Sequence, residues 1–291
     1  MRSTNIVFCT WLAVMSLLPS QVIQAQAEFQ SGHFQTSDGV ELHYLEAGTG
    51  PTLVLVPGWT MPAEIWQHQL RYFASSHRVV ALDPRGQGRS EKTAHGYQPS
   101  RRALDIGELL EHIGGEPAVV AGWSLAMQEI LVLTHEYGTE NVRAVVLVDH
   151  AIDFETAYLK AYFISVQVER EEWTRDFVAA IHRSPQSDEY LEAMTQAALS
   201  TPTNATAIMI ANLILMGPTD LRPALDALDR PAIFIASSQE WAVEQADLVR
   251  EGWPEIQVEV IDETSHALFV DKPEEFNQVL EEFLGTLESD R

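Results

Sequence analysis

The stretch Gly122-Trp123-Ser124-Leu125-Ala126 sets a serine between two small residues. It lies where an apolar run, Ala118 to Ala121, gives way to a helical pattern with Ile130, Leu131, Leu133 and Thr134 among its inward candidates. A strand that becomes a helix through one tight turn holds its apex residue in a strained backbone conformation. Small residues two positions to either side keep that turn free of clashes. This is the nucleophile-elbow pattern G-x-S-x-G with its last Gly replaced by Ala126. The chemistry open to such a serine is attack on an electrophilic carbon. A hydroxyl is too weak an acid to attack unaided, so Ser124 needs a base in hydrogen-bond reach and a third group that orients the base. The turn supplies one donor for the oxyanion that forms, the backbone N–H of Leu125.

The elements around the elbow must bring those partners to it. Thr52 to Val56, Arg78 to Asp83, Ala118 to Ala121 and Ala144 to Val148 are continuous apolar runs, the pattern of strands buried on both faces. Pro231 to Ala236 repeats it near the end of the chain, and Gln257 to Ile261 reads as a further strand. Helical spacing lies between them: Ile65, Trp66, Leu70 and Phe73; Ala103, Ile106, Leu110 and Ile113, with Ser100 as a candidate cap; Trp241 to Gly252; and Pro273 to Leu287. Such alternation predicts a mostly parallel, doubly wound α/β sheet. Phe34 to Glu46 alternates around Ser37-Asp38-Gly39 and reads as an antiparallel edge hairpin. The alternation lapses between about Asp149 and Arg222, where helix follows helix and aromatic and Met residues (Tyr162, Trp173, Phe177, Met194, Met209, Met216) are scattered. That segment is expected to be a helical cap, over 150–222, on a core made of 28–149 and 223–291.

Residues 1–27 read as a signal peptide. Arg2 precedes an apolar run from Ile6 to Leu18, too short to span a bilayer comfortably, and Ala25-Gln26-Ala27 has the small-x-small spacing of a cleavage site. Cleavage and a secreted or periplasmic location are therefore expected, with no stable membrane anchoring. The single cysteine, Cys9, falls in that leader, so the remainder could form no disulfide, thiolate nucleophile or cysteine metal site. The 291 residues carry 46% apolar content, enough for a large core, and a formal charge of −24 with three lysines in all, Lys92, Lys160 and Lys272. Such a field repels nucleic acid and anionic membrane surfaces. Asn204-Ala205-Thr206 is a glycosylation sequon, a pattern short enough to arise by chance.

Over nearly all of its length beyond the leader the chain resembles an α/β-hydrolase. From Pro57 to Asp149 it is similar to the metal-free bacterial haloperoxidase and esterase group, in Pro57-Gly58-Trp59-Thr60, in Asp83-Pro84-Arg85-Gly86-Gln87-Gly88-Arg89-Ser90 and in the Gly-Trp-Ser-Leu elbow. The elbow also resembles that of pimeloyl-carrier-protein methyl esterases. The resemblance implies an α/β-hydrolase fold with a Ser-His-acid triad and no metal or cofactor. It implies Ser124 as nucleophile and His266, in the loop after the final strand, as base. The family's acid position after strand 231–236 falls on Glu240. Asp149, at the end of the strand that follows the elbow, is the alternative, since some family members carry their acid there. The second oxyanion donor is expected from the backbone of Trp59. Asp83 and Arg85 to Ser90 read as a support beneath the site.

The leading expectation is an exported serine hydrolase that cleaves a small-molecule carboxylic ester through an acyl-enzyme. Lactone or amide hydrolysis and peracid formation use the same triad. Chemistries that need Asp at the apex are excluded by Ser124. A non-catalytic ligand-binding homologue is the reading from another class, supported by the unusual acid loop and by Ala126. The ester, the pocket-facing cap residues and the oligomeric state are left open.

Overall fold

Short runs of Val, Leu, Ile and Ala can bury both faces only in a sheet that is covered on both sides. In the computed structural model, which describes residues 29–153, 157–215 and 220–289, they build the middle of one eight-stranded sheet. The strands are β1 (Gln30–Gln35), β2 (Glu41–Ala47), β3 (Thr52–Val56), β4 (Arg78–Leu82), β5 (Ala118–Trp123), β6 (Val142–Val148), β7 (Ala232–Ser237) and β8 (Gln257–Ile261). Their spatial order is β1-β2-β4-β3-β5-β6-β7-β8. β2 is antiparallel to both β1 and β4, and every other pairing is parallel. The leading hairpin thus forms one edge of a parallel sheet. The strand order reverses at β3, which pairs with both β4 and β5, and ligands of open α/β sheets bind at such a reversal.

Helices α1 (Gln67–Phe73), α10 (Leu268–Asp271) and α11 (Pro273–Ser289) cover one face of the sheet. Helices α2 (Pro99–Ile113), α3 (Leu125–Val132), α8 (Arg222–Asp226) and α9 (Glu240–Gly252) cover the other. Each presents an apolar stripe, as Ala103, Ile106, Leu109 and Leu110 do from α2. Ser100, expected as the cap of α2, lies one position inside it. Gln98 is the cap and Pro99 opens the helix, where its missing N–H costs nothing.

Where the alternation lapses, the chain forms α4 (Ala157–Val168), α5 (Arg170–Ala180), α6 (Asp188–Ser200) and α7 (Thr203–Leu215). α4 packs on α7 and α5 on α6. Leu159, Val166, Ala205, Met209, Ile210 and Leu213 cluster with Trp59, Tyr97 and Leu125 at the carboxyl rim of the sheet. Val178, Ile181, Met194 and Ala198 join the core beneath α1 and α11, whereas Leu221 and Leu225 join the opposite one. The expected leader with Cys9, and Met216, lie outside the described residues.

Candidate active site

Ser124 has φ 57° and ψ −126°, a conformation an L-residue holds only when its surroundings enforce it, at a cost of about 1–3 kcal/mol. Its amide donates to Val148 O (2.9 Å), and its carbonyl accepts from Met127 N (2.9 Å), so strand and helix clamp the turn from both sides. A Cβ on Gly122 would meet Ile130 Cδ1 at 2.5 Å and Ala126 O at 2.7 Å. The methyl of Ala126 is accommodated, fully buried, where the usual pattern has Gly.

A continuous hydrogen-bonded line starts at that serine. His266 Nε2 lies 2.8 Å from Ser124 Oγ, and His266 Nδ1 lies 2.8 Å from Asp149 Oδ2. The other carboxylate oxygen of Asp149 accepts from Ser237 N at 2.6 Å, and Asp149 is fully buried. A carboxylate only accepts, so Nδ1 carries the imidazole proton and Nε2 presents its lone pair to the serine hydroxyl. The positive φ of Asp149 (49°) swings its side chain from the end of β6 toward the loop after β8; Asp tolerates this conformation better than most residues.

Glu240 does not occupy the place expected of it. It stands exposed in the first turn of α9, and the end of β7 meets the site through its backbone instead, by the bond from Ser237 N to Asp149. β7 extends through Ser237 and α9 begins two residues after Ser238, which leaves no loop long enough to carry residue 240 back to the imidazole.

Several contacts that sequence reasoning missed hold His266. Its carbonyl accepts from Trp123 Nε1 (2.8 Å), and the indole of Trp123 lies 5.0 Å from the imidazole, centroid to centroid. On either side, Ser265 N donates to Asp271 Oδ2 (2.8 Å) and Ala267 N to Ile181 O (2.8 Å). Asp271 also accepts from Arg183 N (3.0 Å) and from both N and Oγ of Ser184 (2.9 and 2.8 Å), so one carboxylate ties the loop of His266 to the end of α5. His150, next to Asp149, is kept neutral by burial and by the nearby His266, with its pKa pushed down to about 3.

The Pro57-Gly58-Trp59 loop lies against the elbow: a Cβ on Gly58 would come within 2.9 Å of Ser124 Cβ. Leu125 opens α3, where the first N–H groups of a helix lack intrahelical partners. The side chain of Trp59 packs upward into the inserted helices. Its Nε1 donates to Thr206 O (3.2 Å), and Tyr162, Trp173 and Phe177 surround its ring at 5.5–6.4 Å. Beneath the site, Asp83 accepts from Ala63 N (2.6 Å), Arg89 N (2.9 Å) and His43 Nδ1 (2.7 Å), and His43 Nε2 meets Ser31 Oγ at 2.6 Å. This second serine–histidine–aspartate line has its histidine fully buried in β2 and its carboxylate engaged by two further amides, so it acts as a strut for the 83–90 loop. Among the described residues no three His, Asp or Glu side chains are grouped as a metal would require.

A protein-family model described as the alpha/beta hydrolase family matches residues 53–279. The pimeloyl-acyl-carrier-protein methyl ester esterase of Vibrio vulnificus is 27% identical over 262 residues, covering 84% of this chain and 98% of that protein. A non-heme haloperoxidase of Rhodococcus erythropolis is 31% identical over 113 residues, 38% of this chain and 41% of that one. Among solved structures, an esterase from Exiguobacterium antarcticum superposes with a TM-score of 0.81 at 19% identity, over 88% of this chain and all of that one.

Proposed function

This chain belongs to the alpha/beta hydrolase family, and we propose that within it the chain is an exported serine hydrolase that cleaves carboxylic esters through an acyl-enzyme. The observation that carries the reading is the unbroken line Ser124–His266–Asp149, with both bonds at 2.8 Å. Ser124 Oγ attacks the ester carbonyl while its proton passes to His266 Nε2. Asp149 holds the tautomer and stabilises the imidazolium that forms. Trp59 N–H and Leu125 N–H take the charge of the tetrahedral intermediate. The C–O bond to the alcohol then breaks, and the alcohol leaves with the proton from His266. Water, deprotonated by the same imidazole, releases the acid and restores Ser124.

The apolar and aromatic side chains packed over Trp59 and Leu125 favour an ester with an apolar acyl or alcohol group. Export rests on Arg2, the apolar run after it and the Ala25-Gln26-Ala27 site.

The test is chemical. A fluorophosphonate should label the protein once, at Ser124, and Ser124→Ala should abolish both the label and the hydrolysis of p-nitrophenyl acetate. An alanine variant that still turns over at the wild-type rate removes the proposal.

A further inference from the structure

A backbone N–H stabilises an oxyanion only if it is aimed at the place where the charge develops. The aim of Trp59 N–H is set by the plane of the Gly58–Trp59 peptide. The chain has no cis peptide among the described residues, and in a trans peptide the carbonyl and N–H of one plane point in opposite directions. Whatever holds Gly58 O therefore aims Trp59 N–H.

Gly58 O accepts from Gln87 Nε2 at 2.9 Å and, in a longer turn contact, from Met61 N at 3.3 Å, and the same Gln87 nitrogen donates to Met61 O at 2.8 Å. Gln87 is fully buried. Its amide orientation follows from its partners: two carbonyls require the NH2 end, and the other end faces a guanidinium. Gln87 Oε1 accepts from Arg102 Nη2 at 3.3 Å. Arg102 also donates through Nη1 to Arg85 O (3.2 Å) and through Nε to Glu129. The side chains of Arg102 and Glu129 are each 2% exposed, too dry for either charge to persist without the other. Glu129 lies on α3, the helix that opens with Leu125. Both amides assigned to the oxyanion thus hang from one buried chain, Gly58 O–Gln87–Arg102–Glu129.

We propose that Gln87 is a positioning residue that aims Trp59 N–H, and that the Gln87–Arg102–Glu129 bridge holds the two oxyanion donors in register. The inference rests on the esterase reading of the same site. Gln87 bonds neither His266 nor Asp149, so it acts on the stabilisation of charge and leaves proton transfer alone.

Two variants test it, with wild-type and Ser124→Ala proteins alongside. Gln87→Glu keeps the shape and still faces Arg102, but sets a carboxylate oxygen against two carbonyls. Gln87→Met keeps the length and removes both donors. Each should lower kcat for p-nitrophenyl acetate by about 10²-fold, the usual effect of losing one oxyanion donor, with KM and the acid limb of the pH–rate profile unchanged. Labelling of Ser124 by the fluorophosphonate should slow in parallel, because its phosphoryl oxygen enters the same hole. Reading activity well below each variant's Tm separates aim from stability. A folded Gln87→Met protein with wild-type kcat overturns the inference even if its Tm has dropped. An active Ser124→Ala protein instead overturns the esterase reading beneath it.

Discussion

A carboxylate orients an imidazole by where its oxygens lie, and separation along the chain is irrelevant to that. Asp149 is 117 residues before His266 yet bonds its Nδ1, while Glu240 is nearer in sequence and faces solvent. Asp149→Asn should therefore lower kcat by about 10³–10⁴-fold, because an amide that donates to Nδ1 reverses the tautomer and takes the lone pair away from Ser124. Glu240→Gln should leave kcat and KM unchanged, and steady-state kinetics on the two variants decide between the acids. Ser124 and His266 were legible because each lies in a local pattern, one in a tight strand–helix turn and the other in the loop after the last strand. The acid was legible only as a choice between Glu240 and Asp149, because the partner of the imidazole depends on a backbone inversion at residue 149 that residue types do not display. Trp123 gave a partial signal: a buried indole N–H needs an acceptor, but only the fold reveals that the acceptor is the carbonyl of His266.

At the level of elements, the central strands were readable because a strand buried on both faces tolerates little besides Val, Ile, Leu and Ala. The inserted helices were readable as helices and no further. α7, Thr203–Leu215, is apolar nearly all round, so its periodicity does not tell which side faces Trp59. The elbow is the element under the tightest constraint. In Gly122→Ala the new methyl would meet the backbone of Ala126 as well as Ile130, and backbone cannot swing aside. The expected cost is about 1–3 kcal/mol of stability, as for other overpacked sites. Slower fluorophosphonate labelling should accompany it, because any relief of the clash displaces Ser124. Gly285 in α11 is the contrast: a Cβ there meets nothing within 4 Å. Gly285→Ala should raise stability by up to about 1 kcal/mol through helix propensity alone, and thermal melts of the two variants should move in opposite directions.

The whole molecule carries 42 acidic against 18 basic residues, a charge that composition alone reveals, whereas the way the insertion is joined to the sheet is visible only in three dimensions. That joint includes a buried histidine. The side chain of His182 is 2% exposed, its ring packs 5.4 Å from that of Tyr190, and neither ring nitrogen has a hydrogen-bond partner among the described residues. Burial lowers its pKa from 6.5 to about 4, with Asp271, 3.9 Å away, partly opposing the effect of burial. Between those two values the unfolded chain takes up a proton that the folded one refuses. Stability from this group is therefore complete above pH 6.5, declines as the pH falls toward 4, and levels off below that. The full excursion amounts to about 3 kcal/mol, because each tenfold loss of proton affinity on folding is worth about 1.36 kcal/mol. His182→Phe keeps the ring and removes the proton site, so its urea-unfolding free energy should fall less than that of the wild type between pH 6.5 and 4. Equal slopes for the two proteins over that interval would show that the joint is insensitive to the charge on this imidazole. A shallower slope in the variant would show that protonation of this buried imidazole, beside the loop that holds His266, accounts for part of the loss of stability in acid.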